Sequence, residues 1–259
     1  MITMKKTALV FVLLLAVLNS YSQISENKKY KILLTGASFA NDRNGWFELG
    51  CETLDATPLN RAVPGHAIAD AANMMNEGKL YSKEELEDLD ALVIMHVHNK
   101  DVADTAGLKK KYTEYKTPFD RSNYAAAYDY VIKRYISECY NLKFDKNSKY
   151  FGTESGKPVV IILSTHWHDG RTVFNPAIRQ LSEKWGFPVI EFDKYIGFSK
   201  KQLHPVTGKQ FSILYTNNNT EVIDGTVFGW HPLEGKDKYI QQRMAAIFVD
   251  LMKKVLPLK

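Results

Sequence analysis

Residues that could carry out chemistry follow most of the short apolar runs in this sequence. Ser38 comes directly after "ILLTGA", and two His-x-His pairs, His96 with His98 and His166 with His168, follow two later runs. A serine hydroxyl acts as a nucleophile when a neighbouring histidine accepts its proton. Histidines at positions i and i+2 of a strand point to the same face, and their nitrogens are common zinc ligands. The residue types therefore leave two chemistries open, attack by a serine and hydrolysis assisted by a metal.

The elements that must position these residues follow an alternating pattern. Short apolar runs alternate with longer amphipathic stretches, which predicts an α/β fold with a mostly parallel sheet between layers of helices. Strands are predicted at 30–36, 89–97, 157–165 and 187–193, with a weaker strand at 58–63. Helices are predicted at about 44–54, 66–77, 123–140, 175–186 and 236–254. Ligands bind at the carboxyl ends of the strands in such a sheet, so the polar residues are expected to meet there.

The first 22 residues are predicted to be a signal peptide. Lys5 and Lys6 precede an apolar stretch of 11 residues, Ala8 to Leu18, and small polar residues follow it. This stretch is shorter than the roughly 18 apolar residues of a membrane span, so no stable membrane insertion is expected. The remaining residues, 23–259, are predicted to form a single domain that is exported to the periplasm or the extracellular space.

Charge and cysteine content narrow the range of partners. Removal of Lys5 and Lys6 with the leader lowers the formal charge from +5 to +3, and the remaining basic residues are scattered. We therefore expect no nucleic-acid partner. Cys51 and Cys139 could form a disulfide in an oxidising compartment or remain two buried free thiols.

Four short blocks of the sequence resemble those of the SGNH/GDSL hydrolase superfamily. Ser38 lies in "TGASFA", Gly65 in "NRAVPGHAIAD", Asn99 at the end of "ALVIMHVHNKD", and His231 in "WHP" before the last helix. These are the serine, glycine, asparagine and histidine landmarks of that superfamily, in the same order. The resemblance implies a flavodoxin-like three-layer α/β/α sandwich and covers nearly all of the chain after the leader.

The resemblance also implies a serine esterase without a cofactor. Ser38 would be the nucleophile and His231 its base, while the backbone N–H groups of Ser38 and Gly65 and the amide of Asn99 would form the oxyanion hole. The implied substrate is a small-molecule or glycan ester, such as an acetyl group on a carbohydrate. Pocket candidates are His98, His166, His168 and Trp230.

The sequence departs from the superfamily pattern around the catalytic histidine. An aspartate usually stands three residues before it, whereas this chain has Phe228, and the nearest acid upstream is Asp224. Either Asp224 or a backbone carbonyl would then orient the imidazole of His231.

Other interpretations of the same residues stay open. Ser38 could cap a helix, and Gly65 after Pro64 could be a turn glycine. The two His-x-His pairs, together with Asp169, could supply four or five ligands of a metal-dependent hydrolase. A third hypothesis is a noncatalytic glycan-binding protein on the same fold, because the acidic positions of the superfamily are replaced and the long loops are rich in aromatic residues.

Overall fold

The computed structural model describes residues 28–41, 44–97, 104–171, 173–198 and 201–259. The predicted signal peptide lies outside these residues, as do two of the predicted site residues, His98 and Asn99.

Five strands form one parallel sheet in the described part of the chain. They are β1 (Tyr30–Gly36), β2 (Ala56–Asn60), β3 (Ala91–Met95), β4 (Ile161–Ser164) and β5 (Val189–Ile190). Their order is β2-β1-β3-β4-β5, which is the flavodoxin-like order, so the predicted fold class is confirmed. The winding of the sheet reverses between β1 and β3, and a ligand is expected at this switch point.

Helices cover both faces of the sheet. They are α1 (Trp46–Thr53), α2 (Ile68–Asn76), α3 (Lys83–Asp88), α4 (Tyr124–Asn141), α5 (Phe174–Trp185), α6 (Phe192–Tyr195) and α7 (Tyr239–Val255). One hydrophobic core lies under α1 and α7, and the other lies under α2, α4 and α5. Strand residues feed both cores: Ile32 and Leu34 point into the first and Leu33 into the second. Because both faces are buried, the strands read as continuous apolar runs.

One predicted strand is shorter than expected, and two segments without a predicted element contain one. The strand predicted at 187–193 is only Val189–Ile190, because α6 begins at Phe192. The acidic run at 83–90 contains α3, whose start is capped when Glu85 N donates to Ser82 Oγ at 3.1 Å. The long segment 195–229 contains a 3₁₀ turn (Phe211–Tyr215) and an antiparallel hairpin of β6 (Thr220–Ile223) and β7 (Thr226–Gly229).

The two cysteines lie on opposite sides of the sheet. Cys51 is buried in the core under α1, and Cys139 is buried in the core under α4. Both are free thiols, which is the second of the two predicted states. None of the helices in the described ranges combines the length and apolar character that a membrane span requires.

Candidate active site

A tight turn after β1 presents the hydroxyl of Ser38. A Cβ atom on Gly36 would lie 2.8 Å from the Cβ of Ala40, so the return of the chain over the strand end requires glycine there. The next residues form a 3₁₀ turn (Ser38–Ala40) whose N-cap is Ala37. The Ser38 side chain therefore does not cap a helix, contrary to one interpretation of the sequence. Its hydroxyl is available for another partner.

Asn60 at the end of β2 holds this turn in place. Its side-chain amide donates to Ala40 O and to Glu48 Oε1, both at 2.9 Å. Its Oδ1 accepts from Ala62 N at 2.9 Å. Asn60 is buried, so the three hydrogen bonds satisfy a polar group that would otherwise be costly. The serine turn and the loop that leads to Gly65 are thus joined through one side chain.

His231 reaches Ser38 from the far end of the sequence. Its Nε2 lies 2.9 Å from Ser38 Oγ, although the two residues are 193 positions apart. Its backbone carbonyl accepts from Thr216 Oγ1 at 2.7 Å and from Asn217 N at 3.1 Å. The ring of Phe39 stacks on the imidazole with centroids 4.9 Å apart. The structure therefore brings together the predicted nucleophile and the predicted base.

The second nitrogen of His231 has no acceptor within the described ranges. Its Nδ1 is buried and makes no hydrogen bond there, so neither predicted acceptor, Asp224 or a backbone carbonyl, is found in that part of the chain. The imidazole is half-buried. Burial lowers its pKa below the ordinary value, and the negative charge of Glu221 acts in the opposite direction.

The structure does not bring Asp224 to His231. Ile223 pairs with Thr226, so Asp224 and Gly225 form the two-residue turn at the tip of the hairpin, with φ of 49° and 76°. Positive φ at both positions is typical of a tight hairpin turn. His231 lies two residues beyond the opposite end of β7, five residues after Thr226, which is roughly 17 Å of extended chain from that tip. Hairpin pairing is the physical reason that the carboxylate cannot fold back to the imidazole.

Gly65 occupies a loop that faces Ser38. Its φ of +79° is a left-handed conformation that favours glycine, and its carbonyl accepts a hydrogen bond from the guanidinium of Arg121. Both Ser38 and Gly65 line the same pocket. The first N–H groups of the turn after β1 have no partner within that turn, so they can serve an oxyanion. The third predicted donor, Asn99, lies outside the described residues.

The pocket has a volume of about 290 Å³ and opens at the carboxyl ends of the strands. Among the residues that line it are Ser38, Phe39, Gly65, His96, His166 and Trp230. No carboxylate belongs to the described part of its lining. His96 is held by Thr35, whose Oγ1 lies 3.1 Å from His96 Nε2, and burial lowers the pKa of His96 to about 3. His96 is therefore a neutral wall of the pocket at neutral pH.

His168 belongs to a separate buried network. Its Nδ1 accepts from Gly170 N at 3.0 Å, which places the ring proton on Nε2, and Nε2 donates to Glu221 Oε1 at 2.9 Å. The other oxygen of Glu221 pairs with Arg171, whose guanidinium lies 4.2 Å from the ring of Phe174 and 4.4 Å from that of Trp230. His168 was a pocket candidate, but its ring nitrogens are committed to this network.

The same network decides how well a metal would fit. His166, His168 and Glu221 offer ligand atoms within 4.8 Å of one another. A histidine that binds a metal through one nitrogen usually donates a proton from the other. In His168 the other nitrogen instead accepts one from Gly170, so Nε2 has no lone pair for a cation. Arg171 also adds a positive charge. The donor set therefore fits a protein network better than a metal.

Sequence reasoning missed three residues of the site. Asn60 carried a weak signal, since it stands in the block around Gly65. Arg171 and Glu221 carried none, because 50 positions separate them and only the hairpin brings them together.

Several solved structures are similar to this chain at low sequence identity. One is a proposed GDSL-like lipase from Parabacteroides merdae, with 15% identity and a TM-score of 0.48, covering 88% of this chain and 97% of that one. Another is a proposed lipolytic protein of the G-D-S-L family from Desulfitobacterium hafniense, with 11% identity and a TM-score of 0.48, covering 87% and 99%. A third is a psychrotrophic esterase from Pseudoalteromonas, with 14% identity and a TM-score of 0.40, covering 87% and 98%.

No curated protein matches the sequence. Residues 29–256, which include every described residue of the site, match the model of one family. The chain belongs to this family, which is described as a domain of unknown function (DUF5040).

Proposed function

We propose that this protein is a serine hydrolase that cleaves a small ester with Ser38 as nucleophile and His231 as general base. The observation that carries the proposal is the 2.9 Å contact between Ser38 Oγ and His231 Nε2 at the edge of a pocket. This distance suits direct proton transfer from the hydroxyl to the imidazole. The contact lies at the switch point of the sheet, where ligands bind in this fold, and this position also supports a serine hydrolase.

The reaction follows from these two groups. His231 Nε2 accepts the proton of Ser38 as Oγ attacks the carbonyl carbon of the ester. The oxyanion is stabilised by N–H groups at Ser38 and Gly65 and, by resemblance to the superfamily, by Asn99. His231 then donates the proton to the departing alcohol oxygen. A water molecule hydrolyses the acyl-enzyme in the same way, with His231 again as base.

The pocket supports a small acyl group. Its volume of about 290 Å³ is at the lower end of the range for ligand sites, and Phe39, Phe174 and Trp230 supply apolar walls. An acetyl ester of a carbohydrate fits this size and the predicted export of the chain. Since no acid in the described ranges pairs with His231, the imidazolium that forms in the reaction is less stabilised, so we expect a slow esterase.

A fluorophosphonate probe tests the nucleophile directly. We expect it to label the purified protein on Ser38, and Ser38→Ala should lose both labelling and ester hydrolysis while its unfolding transition is unchanged. Ser137→Ala is the matched control, because that hydroxyl donates to Lys133 O on α4, away from the pocket, and labelling should persist. Labelling of another serine, or full activity in Ser38→Ala, would contradict the proposal.

A second candidate function is noncatalytic binding of a glycan in the same pocket. The observation in its favour is that Nδ1 of His231 has no acceptor in the portion of the chain that the structure describes. Calorimetry with acetylated and deacetylated sugars separates the two functions. Binding of both sugars without turnover or labelling would favour the binding protein.

A chelator tests the metal hypothesis. Ester hydrolysis that is lost with EDTA and restored by zinc would favour a metal-dependent hydrolase.

A further inference from the structure

His166 is a buried histidine of the pocket that has no hydrogen-bond partner for either ring nitrogen among the described residues. Its relative exposure is 1%, and both Nδ1 and Nε2 are buried without a partner in that part of the chain. The residue lines the same cavity as Ser38. Buried polar side-chain atoms in folded proteins are nearly always paired, so this ring requires an explanation.

The ring is firmly held although its nitrogens are unpaired. The backbone N–H of His166 donates to Asn175 Oδ1 at 2.6 Å, and Asn175 Nδ2 donates to Asp193 Oδ2 at 3.0 Å. Phe39 and His168 contact the ring edge-on, with centroid distances of 4.3 Å and 4.5 Å. A rigid polar group at a cavity is pre-organised for a ligand, because little ordering remains to be done on binding.

The protonation state of His166 defines the chemistry of that ligand. Burial, followed by the electrostatic effects of His168, Arg171 and His231, lowers the pKa of His166 well below its ordinary value. A neutral imidazole offers one N–H donor and one acceptor. An alcohol hydroxyl group can fill either role, whereas a carboxylate only accepts and an ammonium group only donates.

The location of His166 defines which part of an ester it would meet. Phe39 and Trp230 each contact both imidazoles, with centroids 4.3 Å and 6.2 Å from His166 and 4.9 Å and 5.7 Å from His231. His166 therefore lies on the His231 side of the pocket. The departing alcohol must also lie on that side, because His231 protonates it in the proposed reaction.

We propose that His166 binds a free hydroxyl group on the alcohol part of the substrate, so that the enzyme selects monoesters of polyhydroxylated alcohols over esters of simple alcohols. This inference rests on the proposed serine hydrolase function and specifies its substrate class. His166 acts as a specificity residue and takes no part in bond cleavage. The discrimination arises because an ester without the hydroxyl leaves the buried imidazole unpaired.

Matched esters test this inference. The substrates are monoacetates of diols with two to four carbons, each compared with the acetate of the alcohol that lacks the second hydroxyl, such as 2-hydroxyethyl acetate and ethyl acetate. We expect kcat/KM of the wild-type protein to be at least tenfold higher for the better diol esters. His166→Phe keeps a ring but removes both nitrogens, and it should lose about tenfold or more on diol esters while changing less than threefold on simple esters.

Two further variants test whether the preference for diol esters depends on the hydrogen-bonding groups at position 166. His166→Gln retains a donor and an acceptor and should restore part of the preference for diol esters. His204→Phe changes a histidine outside the pocket, and its ratio of diol to simple ester activity should equal that of the wild type. If His166→Phe does not fold, the wild-type preference and the His166→Gln ratio decide the matter.

Results that contradict the role of His166 differ from results that contradict the serine hydrolase function. Equal kcat/KM for diol and simple esters in the wild type, or equal losses on both in His166→Phe, would overturn the role of His166 while leaving the serine hydrolase intact. If the fluorophosphonate does not label Ser38 in the wild-type protein, the proposed function itself is overturned.

Discussion

Two histidines near the carboxyl edge of the sheet differ in how completely they are paired. His168 accepts a backbone N–H on one nitrogen and donates to Glu221 from the other. His231 contacts Ser38 through Nε2, and its Nδ1 has no partner where the structure describes the chain. The complete pair of a histidine and a carboxylate is therefore His168 with Glu221. Within the described residues, no acid pairs with His231, the histidine that contacts Ser38.

The hairpin explains this difference. Glu221 pairs with Phe228 across the two strands, and cross-strand neighbours project to the same face. Both side chains accordingly contact His168: Glu221 by a hydrogen bond, and Phe228 by stacking at a centroid distance of 5.2 Å. Phe228 occupies the position where the superfamily usually has its acid. The local acid therefore contacts His168, and in the proposed reaction Ser38 and His231 act without a carboxylate from the described residues.

The largest expected effect is on catalysis at His231. His231→Ala should lower kcat for an aryl acetate at least 10³-fold, because the serine loses its base. Asp224→Asn, at the tip of the same hairpin, is the matched control and should lower kcat less than tenfold. A loss with Asp224→Asn close to that of His231→Ala would show that the hairpin does supply a catalytic acid.

The second-largest expected effect is on the stability of the protein, through the pair of His168 and Glu221. Glu221→Gln keeps an acceptor for His168 but leaves the largely buried Arg171 without its carboxylate, so the free energy of unfolding should fall by about 3 kcal/mol. Its kcat should stay within tenfold of the wild type. Urea denaturation measures the first quantity, and Glu183→Gln on the exposed face of α5 is a control without a loss. A fall in kcat as large as that of His231→Ala would mean that the acid serves both histidines.

The smallest effect is a shift in pH dependence. Burial lowers the pKa of His231, so its neutral and active form persists below pH 6.5, and kcat/KM should decline only as the pH falls through that lowered pKa. Glu221→Gln removes the group that raises this pKa, so the acid limb should move to still lower pH. The measurement is a pH profile of kcat/KM for both proteins. A decline centred above pH 6.5 would contradict the assignment of His231 as a buried neutral base.

The sequence predicted the framework of the site better than its inner connections. β1 coincides with its predicted range because both faces of the strand are buried, which produces an uninterrupted apolar run. Ser38 and His231 were predicted through the blocks around them. The hairpin was not predicted, because its strands are short, partly exposed and embedded in a long polar segment. The roles of Glu221 and Arg171 depend on that hairpin, because it places the two side chains in contact. The capping box of Ser82 and Glu85, in contrast, was visible in the sequence and was overlooked.

The separation of 193 residues between Ser38 and His231 has a consequence for biosynthesis. At synthesis rates of about 5 to 20 residues per second, Ser38 is added to the chain roughly 10 to 40 s before His231. During that interval its hydroxyl has the ordinary low reactivity of a free alcohol, so the nascent chain carries no active nucleophile. In the proposed hydrolase, labelling of Ser38 by a phosphonate therefore also reports folding, because it begins only when His231 has reached Ser38 at the edge of the sheet.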